Sequence, residues 1–242
     1  MTVVAGVDGC RAGWIAVIRE ADDAARAEVR LVGSFAEVLA LEPAPAMIAV
    51  DIPIGLPERG QRGGRTCDVA ARVNLGARQS AVFAVPARAA VMETDYRTAC
   101  GVAMAHSEPA LKVSKQTFNL FPKMREVDGL MTAELQERVI EVHPELAFWA
   151  LNGEAPLGEP KKVKSRPYGP GLEVRRGLLA AAGYGRGFLE AVPFRANECG
   201  ADDLLDAAAC AWSAARIVGG VGQRFPAEPD VDARGLRMEI WC

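Results

Sequence analysis

Two apolar runs of the chain each end on a single aspartate. Residues 3–7 run into Asp8, and residues 47–50 run into Asp51. Runs this short and rich in β-branched residues predict buried strands. A carboxylate is costly to bury without a partner. Both acids should therefore lie near water, a metal ion or a partner, unless they only cap the turns that follow them.

A third group of acids opens a predicted helix over about residues 202–217. Asp202, Asp203 and Asp206 lie in its first turns, and the last two are three positions apart and should share a face. The helix dipole stabilises one acid at this end. Three acids repel one another, and a shared divalent cation would offset that repulsion.

Glu141 and Glu145 flank the start of another predicted helix. Glu141 belongs to a short strand-like run, which makes it a further candidate acid. Glu145 falls in the first turn after Pro144, where the helix dipole alone explains an acid. Only Glu141 therefore joins the candidate site.

Two segments concentrate positive charge in a chain whose formal net charge is −3. Residues 59–65 are basic and glycine-rich, and residues 161–176 are the most basic stretch. Such segments can hold phosphates through guanidinium and backbone N–H groups, although most are solvated faces. The predicted substrate-binding residues are Arg59, Arg62, Arg65, Lys115, Lys161, Lys162, Lys164, Arg166 and Arg175.

The composition is that of a globular protein, with 242 residues of which half are hydrophobic. No apolar run approaches the length of a membrane span, and the N-terminus lacks a signal-peptide pattern. Six scattered cysteines without a C-x-x-C pair indicate free thiols, so we expect a cytoplasmic location and no membrane. The acidic balance disfavours a non-specific coat on nucleic acid but is compatible with one basic groove.

The order of the predicted elements brings the acids together. Three strands, a helix and a fourth strand are followed by helices, another strand and a long helix. This is the order of a ribonuclease H-like α/β fold, in which a mixed sheet of three antiparallel strands and then parallel strands is flanked by helices. The first strand, the fourth strand and the last helix converge there at one sheet edge. We expect one domain over residues 1–242, with a helical and loop insertion at about 52–135.

Six motifs spread over nearly the whole chain support this order. They are GVDGCRAGW at Asp8, VDIPIGLP at Asp51, SAVFAVPAR around Phe83, SKQTFNLFPK from Ser114, EVHPELAF at Glu141 and DDLLDAAACAW at Asp202. Together they resemble an uncharacterised microbial family, domain of unknown function family 429, described as predicted ribonuclease H-like nucleases. The resemblance implies this fold and a nuclease activity, with no known substrate.

The stretch from Asp203 to Ala207 is also similar to the last acidic motif of Holliday-junction resolvases, and Asp8 matches their first-strand acid. Asp51 stands where those enzymes use glutamate, so the resemblance says less about its role. Resolvase-like enzymes are usually dimers, which makes a homodimer a further expectation.

The candidate site therefore predicts a metal-dependent phosphodiesterase acting on DNA or RNA. Carboxylates suit Mg²⁺ or Mn²⁺, and two ions ~3.5–4 Å apart can activate water and stabilise a leaving oxygen. Asp8 would bridge both ions, and Asp51 and Asp206 would each hold one. Asp203 or Glu141 would complete the shell or position water. Without metal, the carboxylates should raise one another's pKa values.

Two other functions are compatible with the same residues. A phosphotransferase of the actin, heat-shock-protein and sugar-kinase class also places an aspartate after its first strand, near a glycine-rich phosphate turn such as residues 8–13. The chain lacks a clear second phosphate loop and is short for a two-lobed kinase. A non-catalytic module that binds a nucleotide or a protein could keep the same fold.

Overall fold

The structure is a computed structural model that describes residues 1–164 and 166–242. Its strands are β1 (Val3–Cys10), β2 (Gly13–Glu20), β3 (Asp23–Val32), β4 (Met47–Val50), β5 (Gly60–Gln61), β6 (Ser107–Glu108), β7 (Val139–Glu141), β8 (Lys162–Val163), β9 (Arg166–Pro167), β10 (Arg224–Val231) and β11 (Arg237–Trp241). Its α-helices are α1 (Phe35–Leu39), α2 (Thr66–Val73), α3 (Arg88–Val91), α4 (Tyr96–Ala105), α5 (Lys115–Leu130), α6 (Pro144–Leu151), α7 (Gly169–Ala181), α8 (Arg186–Glu190) and α9 (Ala201–Val218). Turns of 3₁₀ helix cover Gly76–Ala81 and Leu135–Glu137.

Five of these strands form one mixed sheet in the order β3-β2-β1-β4-β7. β1 pairs antiparallel with β2, and β2 pairs antiparallel with β3. β4 runs parallel to β1, and β7 runs parallel to β4. Both central strands are buried along most of their length, as their continuous apolar runs predict. The α/β class and the mixed sheet are confirmed.

Helices cover both faces of this sheet. α9 lies on β1, with α6 and α7 beside it, and α1 and α5 pack on the opposite face. Gly6 in β1 permits this contact, because a Cβ there would lie 1.9 Å from the backbone nitrogen of Ala211 and 2.1 Å from the carbonyl oxygen of Ala207. The close approach brings the first turns of α9 to the carboxyl end of β1.

The segment between β4 and β7 holds the paired strands β5 and β6 and the helices α2 to α5. Phe121 and Met124 of α5 belong to the same apolar core as Val7 of β1. After α9, the hairpin of β10 and β11 packs on α2. Trp241 at its end makes an isolated parallel bridge with Val142, next to β7. The end of the chain therefore lies beside the end of β7, which is the edge strand of the sheet.

Three segments differ from the expectations drawn from the sequence. α5 runs for 16 residues through a stretch that the pattern leaves unassigned, because Pro122 interrupts the helical signal. The segment after residue 219 is typical of a loop, because Pro226 and Pro229 are unusual within a strand, yet it forms β10. The apolar run over residues 80–86 is typical of an extended segment, yet Ser80 and Ala81 belong to a 3₁₀ turn.

All six cysteines are free, as the sequence predicts, and all six are buried. Cys67 in α2 and Cys210 in α9 are fully covered and act as small apolar core residues. Within residues 1–164 and 166–242, no helix combines the length and the apolar character that a membrane crossing would need.

Candidate metal centre

Two of the predicted acids leave the sheet side by side. Val7 of β1 is in register with Val50 of β4, so Asp8 and Asp51 are the next residues on parallel neighbours. The backbone N–H of Asp51 donates to the carbonyl of Val7 at 2.9 Å. Oδ1 of Asp8 accepts from the backbone N–H of Gly9 at 2.6 Å. Parallel pairing therefore places both carboxylates at the carboxyl edge of the sheet.

Asp206 reaches the same edge from α9. One carboxylate oxygen from each of Asp8, Asp51 and Asp206 lies within 4.8 Å of the other two. Asp206 is only 1% exposed and Asp8 is 8% exposed, whereas Asp51 is half-buried. Three elements that are distant in the sequence thus form one compact acid cluster, defined from here on as Asp8, Asp51 and Asp206.

The acid cluster opens into a cleft of about 320 Å³. Asp8 and Asp51 line this cleft, together with Asp203, Lys123 and Lys161. The volume falls at the lower end of the range of about 300–1,000 Å³ that is typical of ligand pockets. The cleft therefore joins the acids to nearby positive charge and has room for a ligand.

Lys161 places its ammonium group inside the acid cluster. Its Nζ forms an ion pair with Oδ2 of Asp206. Oδ1 of Asp206 is buried and has no hydrogen-bond partner in the described part of the chain. One ammonium group cannot balance three ionised carboxylates, so the ionised cluster would attract a further cation.

Burial and mutual repulsion disfavour the charged forms of the acids. Burial raises the pKa of Asp8, and the nearby Asp51 and Asp206 raise it further. Burial also raises the pKa of Asp51, against opposing effects of His143 and Lys161. For Asp206, burial raises the pKa to about 7 although Lys161 lowers it. Burial lowers the pKa of Lys161, but the carboxylates outweigh this and hold it above its ordinary value.

Asp203 lies beside the acid cluster and is not one of the three. Its Oδ2 accepts from the backbone N–H of Gly200 at 2.8 Å, which ties it to the start of α9. Asp202 and Asp206 are four positions apart and share the buried face, where Lys162 pairs with Asp202. Asp203 lines the cleft while its carboxylate caps the helix, so it stays a candidate acid beside the acid cluster.

Glu141 belongs to a buried ion-pair network. Its two oxygens accept from the guanidinium of Arg65 at 2.6 and 2.8 Å, and the backbone N–H of Ile54 donates to Oε2 at 2.8 Å. Arg65 also pairs with Asp68 at 2.8 Å. Burial raises the pKa of Glu141 to about 7, although Arg65 lowers it. Because the two side chains occupy each other, the structure corrects the roles expected for both: neither Glu141 nor Arg65 is free for metal or substrate.

Two other predicted substrate-binding residues are engaged elsewhere. The side chain of Arg175 is fully buried and donates to Oε1 of Glu145 at 2.5 Å, which links α7 to α6. Arg175 is therefore not available to bind substrate, contrary to the prediction from the sequence. Nζ of Lys115 lies 3.9 Å from the ring centroid of Tyr96, so this lysine packs on α4 at the start of α5.

The remaining predicted basic residues are exposed. Lys162 lines the cleft, and Lys164 and Arg166 follow it on the hairpin of β8 and β9. Arg59 and Arg62 lie on the loop around β5. These positions keep all five as candidate contacts for a charged substrate.

Two residues that line the cleft were not among the site residues predicted from the sequence. Lys123 of α5 lines the cleft, donates from Nζ to the carbonyl of Gly13 and lies 4.2 Å from the ring centroid of Trp14. His143 lines the same cleft, and its Nδ1 accepts from the backbone N–H of Glu145 at 3.2 Å. Lys123 falls inside the motif SKQTFNLFPK and His143 inside EVHPELAF, and these motifs are the only feature of the sequence that points to either residue. A motif does not say which way a side chain points.

The chain belongs to the family described as "Protein of unknown function (DUF429)", whose model matches residues 6–231. No curated protein matches the chain, and no solved structure matches it. The family description assigns no activity, so function has to be argued from the chemistry of the site.

Proposed function

We propose that this protein is a metal-dependent nuclease that hydrolyses phosphodiester bonds in nucleic acid. The observation that carries the proposal is the acid cluster, in which one oxygen from each carboxylate lies within 4.8 Å of the others. Strand-end turns and helix capping would explain each acid separately. They do not explain why all three meet, whereas clustered hard oxygen donors are typical of Mg²⁺ and Mn²⁺ sites.

A ribonuclease H-like fold is part of the proposal. Two antiparallel pairings followed by two parallel ones give the sheet order β3-β2-β1-β4-β7, which agrees with that topology. α9 is the last helix and lies against β1. The fold would explain why acids from the first strand, the fourth strand and the last helix share one edge.

The donors fit a divalent cation. The unpartnered Oδ1 of Asp206 is available for coordination, and Asp8 and Asp51 supply oxygens from the neighbouring strands. Asp8, Asp51 and Asp206 would together hold divalent cations. Such ions, when bound, supply an activated water and stabilise the leaving oxygen. Because the acids have raised pKa values, metal binding should release protons and tighten as pH rises.

The cations of the chain would bind the phosphates. Lys161 orients Asp206 through their ion pair and places a positive charge beside the reacting phosphate. Lys123 and Lys162 line the same cleft and would contact neighbouring phosphates. These contacts would hold a strand across the edge of the sheet, so that the chain positions the scissile bond against the carboxylates.

A cleavage assay in Mn²⁺ tests the proposal with single- and double-stranded DNA and RNA. Asp8→Asn should lower the rate by at least about 100-fold, the scale seen when one electrostatic group of a site is removed. Asp22→Asn is a matched control, because Asp22 is an exposed acid in the turn after β2. It should cleave like the wild type, and both variants should keep the wild-type circular dichroism. Equal cleavage by Asp8→Asn and the wild type would contradict the proposal.

A further inference from the structure

A second cavity, of about 310 Å³, lies next to the cleft. Its walls come from the loop around β5, the stretch before α3, the end of α4 and the start of α5. Phe83, Val85, Leu111 and Val113 give it apolar sides. The cavity is therefore distinct from the acid cluster in both position and character, and the nuclease chemistry proposed above does not use it.

The cavity and the cleft share a wall. Phe83 lines both of them. On α5, Thr117 lines the cavity while the preceding residue, Gln116, lines the cleft. A ligand that fills the cavity can therefore continue past Phe83 into the cleft that holds Asp8 and Asp51.

Two basic side chains line the cavity and have no hydrogen-bond or ion-pair partner among the described residues. Arg62 and Lys112 both line it and are exposed. Within the described residues, neither forms a hydrogen bond or an ion pair, in contrast to Arg65 nearby, which is saturated by Glu141 and Asp68. Unpaired guanidinium and ammonium groups beside an apolar slot suit a ligand with a flat apolar part and an anionic group.

We propose that this cavity receives one unpaired nucleotide of the substrate strand. Its base would enter between the apolar walls with Phe83 on one side, and Arg62 and Lys112 would bind its phosphate. A base inside a duplex cannot reach such a pocket, so the ligand is a single-stranded or extruded nucleotide. The inference rests on the proposed nuclease function and deepens it, because it names the form of nucleic acid that the cleft would cut.

Binding measured without metal separates the cavity from the chemistry. The probe is a fluorescein-labelled single-stranded hexanucleotide, followed by fluorescence anisotropy in EDTA, with the same sequence as a duplex for comparison. We expect the wild type to bind the single strand at least about tenfold more tightly than the duplex, and Asp8→Asn to keep this binding. Arg62→Ala should weaken binding at least about tenfold, which corresponds to about 1.4 kcal/mol.

Two further variants keep the test specific. Arg97→Ala is the matched control, because Arg97 is exposed on α4, whose far end forms a wall of the cavity, and does not itself line the cavity, so it should change affinity less than about twofold. Ala84→Trp should block binding by filling the cavity, and because Ala84 is exposed this variant should keep its fold. Competition with a free nucleoside monophosphate shows whether a strand is required.

The outcomes divide cleanly. Equal effects of Arg62→Ala and Arg97→Ala, no effect of Ala84→Trp, or no binding in EDTA would overturn the cavity proposal and leave the metal-dependent cleavage of the strand intact. Normal binding through the cavity without cleavage in any metal would refute the nuclease and keep the nucleotide site. A monophosphate that competes as well as the hexanucleotide would overturn the assignment to a strand.

Discussion

The surroundings of Asp8 make its charged form costly and also make it suitable as a metal ligand, because the side chain is buried beside two other carboxylates. The carboxylate is 8% exposed, and burial together with Asp51 and Asp206 raises its pKa. An acid whose charged form is disfavoured in the fold destabilises the protein at neutral pH until a cation compensates it. Functional sites commonly retain such destabilising groups because activity requires them.

The metal-free protein should therefore lose stability as pH rises. The raised pKa values mean that the folded chain binds more protons than the unfolded chain, so the free energy of unfolding falls with increasing pH. For Asp206 the window runs from its ordinary pKa of 3.8 to about 7. Urea denaturation in EDTA should show that Asp8→Asn is more stable than the wild type, and by a larger margin at about pH 8 than at about pH 5. A margin that is constant between these pH values would contradict the raised pKa of Asp8.

Lys161 should matter more for catalysis than its neighbours on the same hairpin. Lys161→Met removes the ion pair that orients Asp206, and we expect a loss of about 100-fold in kcat at saturating Mn²⁺. Lys164→Met is the matched control, because Lys164 is exposed on the same hairpin, and its kcat should stay within about threefold of the wild type. Equal losses in the two variants would show that Lys161 contributes only general positive charge.

The contact between α9 and β1 sets the distance between two of the acids. α9 carries Asp206 and β1 carries Asp8, and the helix can approach because Gly6 has no side chain. The distance between these two carboxylates therefore depends on a packing contact that involves no charged group. A change that moves α9 should damage the site even where all three carboxylates are kept.

Gly6→Ala should disrupt both fold and site. The added Cβ would lie 1.9 Å from a backbone atom of Ala211, so α9 must shift, and we expect a loss of at least about 1–3 kcal/mol in unfolding free energy. Gly101→Ala is the control, since Gly101 lies in α4 and a Cβ there meets nothing within 4 Å. That variant should gain about 0.5–1 kcal/mol through helix propensity. Urea denaturation measures both, and a Gly6→Ala variant as stable as the wild type would contradict the packing described here.

The elements that position the acids follow from local sequence, whereas their partners do not. The apolar runs that end at Asp8 and Asp51, and the alanine-rich pattern after Asp206, are signals within one segment. The positions of Lys161 and Lys123 depend on contacts between distant segments, for which a single sequence carries no periodic signal. Glu141 is a strand-end acid like the others, yet its partner Arg65 lies 76 residues away and removes it from the site.

At the scale of the whole molecule, we propose that the segment between β4 and β7 and the sheet form one domain. Phe121 of α5 shares an apolar core with Val7 of β1 and Ile48 of β4. Arg88 of α3 pairs with Asp128 of α5 and with Asp232 directly after β10, which ties the segment to the C-terminal hairpin. Buried apolar contacts and ion pairs of this kind link the stability of the parts.

Unfolding should therefore be a single cooperative transition. The tryptophans Trp14, Trp149, Trp212 and Trp241 all lie outside residues 52–135, whereas far-UV circular dichroism also reports on α2 to α5. Urea curves from tryptophan fluorescence and from circular dichroism should have the same midpoint and the same slope. Two separated midpoints would show that the segment unfolds as a domain of its own.

Calorimetric titration of Mn²⁺ without nucleic acid tests the metal site most directly. We expect the wild type and Asp22→Asn to bind Mn²⁺ with release of protons, and Asp8→Asn to bind at least about tenfold more weakly or not at all. That result would place a metal ion in the acid cluster. Equal binding by Asp8→Asn and the wild type, or no binding by the wild type, would contradict the metal centre on which the proposed nuclease depends.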